Sequence, residues 1–521
     1  MPSFVGNFST ADSFPPHPPI FEASHLLSLG LAFSLGFLIL CRVTSSNKKS
    51  EYPLVTLDND INNPTTDRQN YRLRGNELLE KGRAEHPGQP FRVISENGDL
   101  LILPPRLANE IRNIDELSFM ESLKQAYHAS LPGFEPFQAT SRTDQLIQTV
   151  ITQPLSDETA YALDLRFGKA NEWTEYNLFN EILDIVARTS TRAFLGDQVC
   201  RNEDWLNISK SFAVQAFKAA SSLRRTSLSL RFLFHWFDPE CRKVRIVMAK
   251  SREIITPVIQ ERQRVRREAL ARGLPVPTFN DAIDWFEDEA QGRPYDPAIL
   301  QLTISMVAIH TTNDLICETV TNIARNPELF PQLREEISRV LRVEGWKKTA
   351  LSNLKLLDSV IKESQRLKPV GSTSQSRIVT SSVTLSDGTY LPKGTHLTCD
   401  AGLRLSDVYY TDPLRFDGAR HLAWRDTPGK ETLAHLVSTS PENMGFGHGQ
   451  HSCPGRFFAA NEIKIALCHM LMKYDWKLVE GCEPKTQPIG LMLNTDPTTR
   501  VLIKKREQAE LDIDDLDGFG R

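Results

Sequence analysis

The stretch that decides the fold reads Phe446-Gly-His-Gly-Gln-His-Ser-Cys453-Pro-Gly455-Arg456. Glycine has no Cβ and accepts positive φ, so such a loop can lie close against a flat ligand. Pro454 suits a first helical turn, and an apolar-periodic run follows to about Met472, so Cys453 is predicted just ahead of a helix. A helix amino terminus favours thiolate, and loop amides can donate to the sulfur. On a haem iron, such a thiolate pushes electron density onto the metal. Residue chemistry leaves three other readings open. A lone Cys is often a small buried hydrophobe. A Cys with His448 or His451 as base would be a nucleophile. His448, His451 and Cys453 could form part of a zinc site, with a fourth ligand missing.

Outward from this loop, the chain reads as mainly α with small β-sheets. From about Pro105 to Val370 the pattern is helical, with three- and four-residue apolar spacing over Glu175 to Leu195 and Leu333 to Val343. Phe91 to Ser95 and Leu100 to Leu103 flank an Asn97-Gly98 turn and predict a hairpin. Strand signals return over Arg377 to Leu385. Residues 44–74, with Pro53 and Pro64, read as a linker, 75–505 as one large body, and 506–521 as an acidic, solvated, mobile tail.

Composition narrows the function class. The 521 residues are 40% hydrophobic, enough for one deep core or two average domains. The 61 Lys and Arg nearly balance the 65 Asp and Glu, without a long basic run, which argues against nucleic acid as a partner. Eight scattered cysteines with no CxxC pair argue against a disulfide scaffold or a zinc finger.

Near the amino terminus, Leu26 to Val43 reads LLSLGLAFSLGFLILCRV. About 18 residues at about 1.5 Å each span about 27 Å, the thickness of a thin bilayer. Arg42, Lys48 and Lys49 follow the apolar run, while Asp12 and Glu22 precede it. The positive-inside rule then predicts a transmembrane anchor at 26–43, a lumenal segment 1–25 and a body facing the cytosol. A cleaved signal peptide would carry its positive charge ahead of the apolar run instead. The sequon at Asn7 would face the lumen and could be glycosylated; that at Asn207 would be cytosolic and inert.

Four further patterns belong with the Cys453 loop. Glu363-Ser-Gln-Arg366 places two opposite charges on one helix face. Pro413, Phe416 and Arg420 form P-x-x-F-x-x-x-R, and Arg377 opens a strand run. Ala308-Ile-His-Thr311-Thr312-Asn313 lies on an apolar helix. Together with F-x-x-G-x-x-x-C-x-G at Phe446, Gly449, Cys453 and Gly455, they resemble the cytochrome P450 family, in that family's order. The resemblance covers the chain from near Phe91 to the carboxyl-terminal region. The wording of Ala308–Asp314, of LPGFEPF at Leu131–Phe137 and of the Cys453 loop is similar to fungal microsomal members, ent-kaurene oxidase-like and terpenoid or indole-diterpene oxidases among them.

The resemblance implies haem b with Cys453 as the axial iron ligand, in a loop opened by Phe446. It implies His451 and Arg377 on the propionates, and a buried charge set of Glu363, Arg366 and Arg420. It implies Thr312 in oxygen activation and Thr311 where an acid is usual. Ile309 replaces the usual glycine and is expected to narrow a pocket lined by Ala308, Ile309 and Thr312. A W-x-x-x-R motif is missing between Pro132 and Leu165, leaving one propionate contact unassigned. The implied activity is insertion of one oxygen atom into an apolar substrate at the endoplasmic reticulum membrane. Electrons from NADPH would arrive through a cytochrome P450 reductase, with cytochrome b5 as a further partner. A rearrangement or dehydration without a reductase, or a haem-binding sensor without turnover, are the alternative readings.

Overall fold

The computed structural model describes residues 52–57, 64–139, 152–227 and 230–516, and the account below concerns the unit Leu54–Arg521. The anchor expected at 26–43 and the sequon at Asn7 lie outside the described residues. Among the described residues, no helix is long and apolar enough to cross a membrane.

The larger helices are α1 (Pro64–Glu85), α2 (Phe119–Tyr127), α3 (Thr152–Phe167), α4 (Leu178–Leu195), α5 (Glu203–Arg224), α6 (Pro239–Ala271), α7 (Pro297–Arg325), α8 (Leu329–Glu344), α9 (Lys355–Leu367) and α10 (Arg456–Lys473). The sheet strands are β1 (Phe91–Ser95), β2 (Gly98–Leu103), β3 (Leu117–Ser118), β4 (Thr174–Asn177), β5 (Thr373–Val379), β6 (Val383–Thr384), β7 (Tyr390–Leu391), β8 (His396–Asp400), β9 (Tyr474–Leu478), β10 (Gln487–Ile489), β11 (Met492–Asn494) and β12 (Arg500–Lys505).

Helix α7 starts sharply because Asp296 accepts from the amides of Ala298 and Ile299, and Pro297 needs no amide partner in the first turn. Leu302, Ile304, Ile309, Ile316 and Val320 bury it in the main core, against α4, α5, α6, α9 and α10. Helix α4 starts at Leu178, three residues after the expected Glu175. Asn177 caps it through the Asn180 amide, at 2.9 Å. Residues 174–177 pair with β12 instead, where ladder bonds satisfy their backbone.

The main sheet has the order β1-β2-β8-β5-β3. Its β1–β2 hairpin pairs Phe91 with Ile102 and covers a second, smaller core of Val55, Leu78, Val93 and Leu100. The β5–β8 register breaks between Ser374 and Arg377, and Gln375 sits there at φ +56. This is a bulge, which re-aims the side chains beyond it.

Two expected boundaries differ. Helix α1 takes in the end of the expected linker, with a break in helical geometry at Arg74. The expected mobile tail is docked through residue 516. Ile513 is 1% exposed, its carbonyl accepts from Trp346 Nε1 at 3.1 Å, and Lys473 pairs with Asp514 at 2.6 Å. Leu511, Ile513 and Leu516 are few among acids, yet all three pack on the main core.

Candidate active site

The Cys453 loop closes on itself. The Cys453 amide donates to the Phe446 carbonyl at 2.7 Å, and the half-buried Phe446 packs on the main core. Gly447 and Gly449 hold φ of +73 and +81. A Cβ on Gly449 would lie 2.4 Å from the Arg112 Cβ, so close approach as well as dihedral demands glycine there. Gly455 caps α10, so Cys453 and Pro454 stand just outside the helix.

Burial pushes the Cys453 thiol above its ordinary value, and the Gly455 and Arg456 amides and the Arg456 guanidinium pull it back only in part. The expected lowering is therefore not met by the protein alone, since one helix end does not offset desolvation. A coordinated cation deprotonates such a thiol outright.

The rival readings of the loop fail on geometry. His448 is buried, with Nε2 on Asn109 Oδ1 at 2.9 Å and Nδ1 on Thr439 Oγ1 at 3.2 Å, so neither ring nitrogen is left for the thiol. His451 lies against the Phe119 ring, at 5.7 Å between centroids. Among the described residues, no three His, Cys, Asp or Glu side chains could hold a metal ion together. A zinc site and a Cys–His nucleophile are thus both without support.

Arg377 supplies the positive test for an anionic cofactor. The residue is 2% exposed, donates to the Ser376 carbonyl at 2.8 Å and lies 5.6 Å over the Phe119 ring. No carboxylate among the described residues pairs with it, and burial brings its pKa down to about 10. A buried cation without an anion is costly, so the place fits a ligand that brings carboxylates. Burial, then the Arg377 charge, lowers the His451 pKa as well, so the two share one pocket wall. Haem fits this donor set: a thiol, a glycine-lined approach and an unpaired guanidinium.

Three contributors were not legible in the sequence. Phe119 backs both Arg377 and His451. Arg112 packs under Gly449 and donates to Asn109 Oδ1 at 3.3 Å. Gln375, in the bulge, ties β5 to the Ala108 carbonyl at 3.1 Å, and no spacing in a Ser/Thr/Gln run announces it. Residues 140–151, within the stretch that lacks W-x-x-x-R, lie outside the described residues.

On α7, Thr312 is buried, and Val307, Ala308 and Thr311 form the face with residual exposure. The Thr311 hydroxyl donates back to the Val307 carbonyl at 2.7 Å. Ile309 was expected to narrow the pocket, but it is fully buried in the main core. About 100° of helical rotation per residue turns it from the Ala308 face toward α4. The charge set is assembled as expected. Arg366 donates to both Glu363 oxygens at 2.8 Å, and Arg420 Nε donates to Glu363 Oε1 at 2.9 Å.

Comparison with known proteins agrees with this geometry. A family model described as Cytochrome P450 matches residues 151–502. Cytochrome P450 monooxygenase 2 of Gibberella fujikuroi is 44% identical over 471 residues, covering 90% of this chain and 91% of that one. Cytochrome P450 monooxygenase hepE of Aspergillus oryzae is 43% identical over 447 residues, 83% and 82% of the two chains. Cytochrome P450 monooxygenase TRI1 of Fusarium sporotrichioides is 38% identical over 84% of this chain and 82% of that one. The retinoic acid-bound cyanobacterial CYP120A1 structure has a TM-score of 0.64 at 16% identity, covering 87% of this chain and 99% of that one, and shows the fold alone. With the thiol loop, the unpaired guanidinium and these relatives in agreement, the chain belongs to the cytochrome P450 family and is a haem-thiolate monooxygenase.

Proposed function

We propose that this enzyme oxidises an apolar, terpenoid-derived intermediate of fungal specialised metabolism, by hydroxylation or successive oxidations. One atom of O2 enters the substrate and the other leaves as water. Two electrons come from NADPH through a membrane-bound flavoprotein reductase. When bound, haem with a Cys453 thiolate ligand supplies the oxygen chemistry.

The chain's own residues do the rest. The Cys453–Phe446 backbone bond and the two left-handed glycines hold the thiol still. Arg377 and His451 are the residues that would hold the cofactor's carboxylates. Phe119, whose ring lies beside both, would shield those two groups from water. Thr312 holds a hydroxyl at the site for proton delivery. Val307 and Ala308 offer an apolar wall, which suits an apolar substrate. The observation that carries the reading is the buried, carboxylate-free Arg377 beside the Cys453 loop.

The apolar run at 26–43 and its flanking charges support an endoplasmic reticulum anchor with the body in the cytosol and Asn7 in the lumen. A substrate that partitions into lipid agrees with such a location. Sedimentation with membranes after carbonate washing, and a glycosidase-sensitive mass at Asn7, are the expected results.

A difference spectrum of the reduced protein with carbon monoxide tests the central assignment. The thiolate-type Soret shift is expected in wild type and lost in Cys453→Ala. Unchanged haem binding in Cys453→Ala would sink the assignment. NADPH consumption with reductase and a terpenoid panel separates oxidation from a reductase-free rearrangement. Metabolite profiles of a deletion strain would identify the substrate that accumulates.

A further inference from the structure

Helix α9 ends at Lys368, whose side chain is buried against α7. Its ammonium pairs with Asp314, two residues beyond Thr312 on α7, and donates to Thr495 Oγ1 at 2.9 Å. Thr495 closes the triangle. Its amide donates to Asp314 Oδ1 at 2.8 Å, and its hydroxyl donates to the Asp314 carbonyl at 3.2 Å. Three segments far apart in sequence thus meet at one buried point.

Two of the three belong to one ribbon. The Leu493 amide donates to the Val370 carbonyl at 2.9 Å, and the Ser372 amide donates to the Leu491 carbonyl at 2.8 Å. Gly371 and Met492 pair antiparallel between them. The same register, carried back two residues, sets Lys368 opposite Thr495. Leu491, toward the other end, is packed in the second core. The ribbon is therefore fixed to that core at one end and to α7 at the other.

The part between the two ends borders the active-site face. Residues two apart in extended backbone share a face, so Val370 points the same way as Lys368, toward α7. Val370 is nevertheless 40% exposed, and Val307 on α7 is 42% exposed. Two apolar side chains on facing elements thus border one open space. Thr312 lies between Val307 and the Asp314 anchor along α7. The segment that leaves Lys368 and Val370 then runs on through the bulge at Gln375 to Arg377, so it passes along the site. A buried ion pair adds little net stability, because desolvation offsets the attraction; its best-attested use is to fix one arrangement.

We propose that Lys368, Asp314 and Thr495 are positioning residues: their junction sets the gap between α7 at Thr312 and the ribbon that carries Val370, and that gap selects substrates by shape. The inference deepens the monooxygenase reading and rests on it.

Lys368→Met keeps the length of the stem and removes the charge. Two azoles, imidazole and clotrimazole, bind a haem iron through nitrogen and differ greatly in bulk. Difference spectra of haem-loaded protein with each azole read the gap without the native substrate. In K368M the Kd of clotrimazole is expected to rise about tenfold, the scale of a lost apolar contact, while that of imidazole stays at the wild-type value. Thr495→Val should repeat the effect. Thr495→Ser, which keeps the hydroxyl, should restore the wild-type ratio. The reduced carbon monoxide spectrum of each variant should stay thiolate-type. If K368M does not take up haem, T495V and T495S carry the test. Unchanged clotrimazole affinity in haem-loaded variants, or an equal change for both azoles, means that the junction serves stability alone. Either result overturns the inference and leaves the monooxygenase reading standing. Loss of the thiolate-type spectrum in wild type itself overturns both.

Discussion

Arg420 Nε donates to Glu363 Oε1 at 2.9 Å, joining α9 to the short helix Arg420–Trp424, 57 residues further along the chain. Its guanidinium also donates to the carbonyls of Thr411 at 2.5 Å and Arg415 at 3.1 Å. Removing it leaves a buried carboxylate with one fewer cation and carbonyls without donors. Arg420→Ala is therefore expected to cost about 3–5 kcal/mol, the range for breaking a buried pair. Urea unfolding followed by circular dichroism checks it, and a loss under about 1 kcal/mol would count against a buried role.

Acid should unfold the protein through the same cluster. Burial alone would raise the Glu363 pKa, but hydrogen bonds from Arg366 and proximity to His421 hold it at about 2. His421 Nε2 lies 3.3 Å from Glu363 Oε2 without hydrogen-bond geometry, and burial lowers its pKa to about 4, so His421 is neutral at pH 7 and the arginines carry the pairing. Both folded pKa values lie below the ordinary ones. Each group's stabilisation is thus complete above its ordinary pKa and lost as pH falls through the folded one. The His421 share fades from 6.5 toward about 4, and the Glu363 share from 4.5 toward about 2. Urea midpoints measured from pH 7 to pH 3 should fall, and His421→Asn should flatten the upper part of that fall.

The two loop glycines should differ. Gly449→Ala meets a left-handed φ, costing about 1–2 kcal/mol, and also the Arg112 Cβ at 2.4 Å. Gly447→Ala meets a similar φ but no atom nearer than 3.4 Å. Haem content per protein, read from the reduced carbon monoxide spectrum, should drop more in G449A than in G447A. Equal losses would mean that dihedral strain alone governs the loop.

Much of this site was legible because its chemistry is local or periodic. The glycines and Cys453 fall within one loop, Glu363 and Arg366 are one helical turn apart, and α7 shows its apolar period. What could not be read depends on contacts made across the fold. Ile309 looked like a pocket residue, yet its direction depends on where α4 packs. Asp314 stands two residues after Thr312, and only the fold shows Lys368 and Thr495 closed on it. Ile513 lies in an acidic stretch, and only the pocket beside Trp346 makes it a core residue. Gln375 and Phe119 owe their roles to a bulge and a ring contact, neither of which has a periodic signature.

Arg377 yields a prediction whose sign depends on the cofactor. In haem-free protein its guanidinium is buried without a carboxylate, and burial alone lowers its pKa to about 10. Arg377→Gln removes that uncompensated charge and should raise the thermal midpoint of the haem-free form, or leave it unchanged. In the haem-bound form the same change removes the cation facing the cofactor's carboxylates. Leaving an anion unpaired there should weaken retention, by on the order of 1–3 kcal/mol. Paired melts of wild type and R377Q, with and without haem, read both effects. Destabilisation of equal size in the two forms would mean that Arg377 serves the fold through the Ser376 carbonyl and Phe119, and not the cofactor.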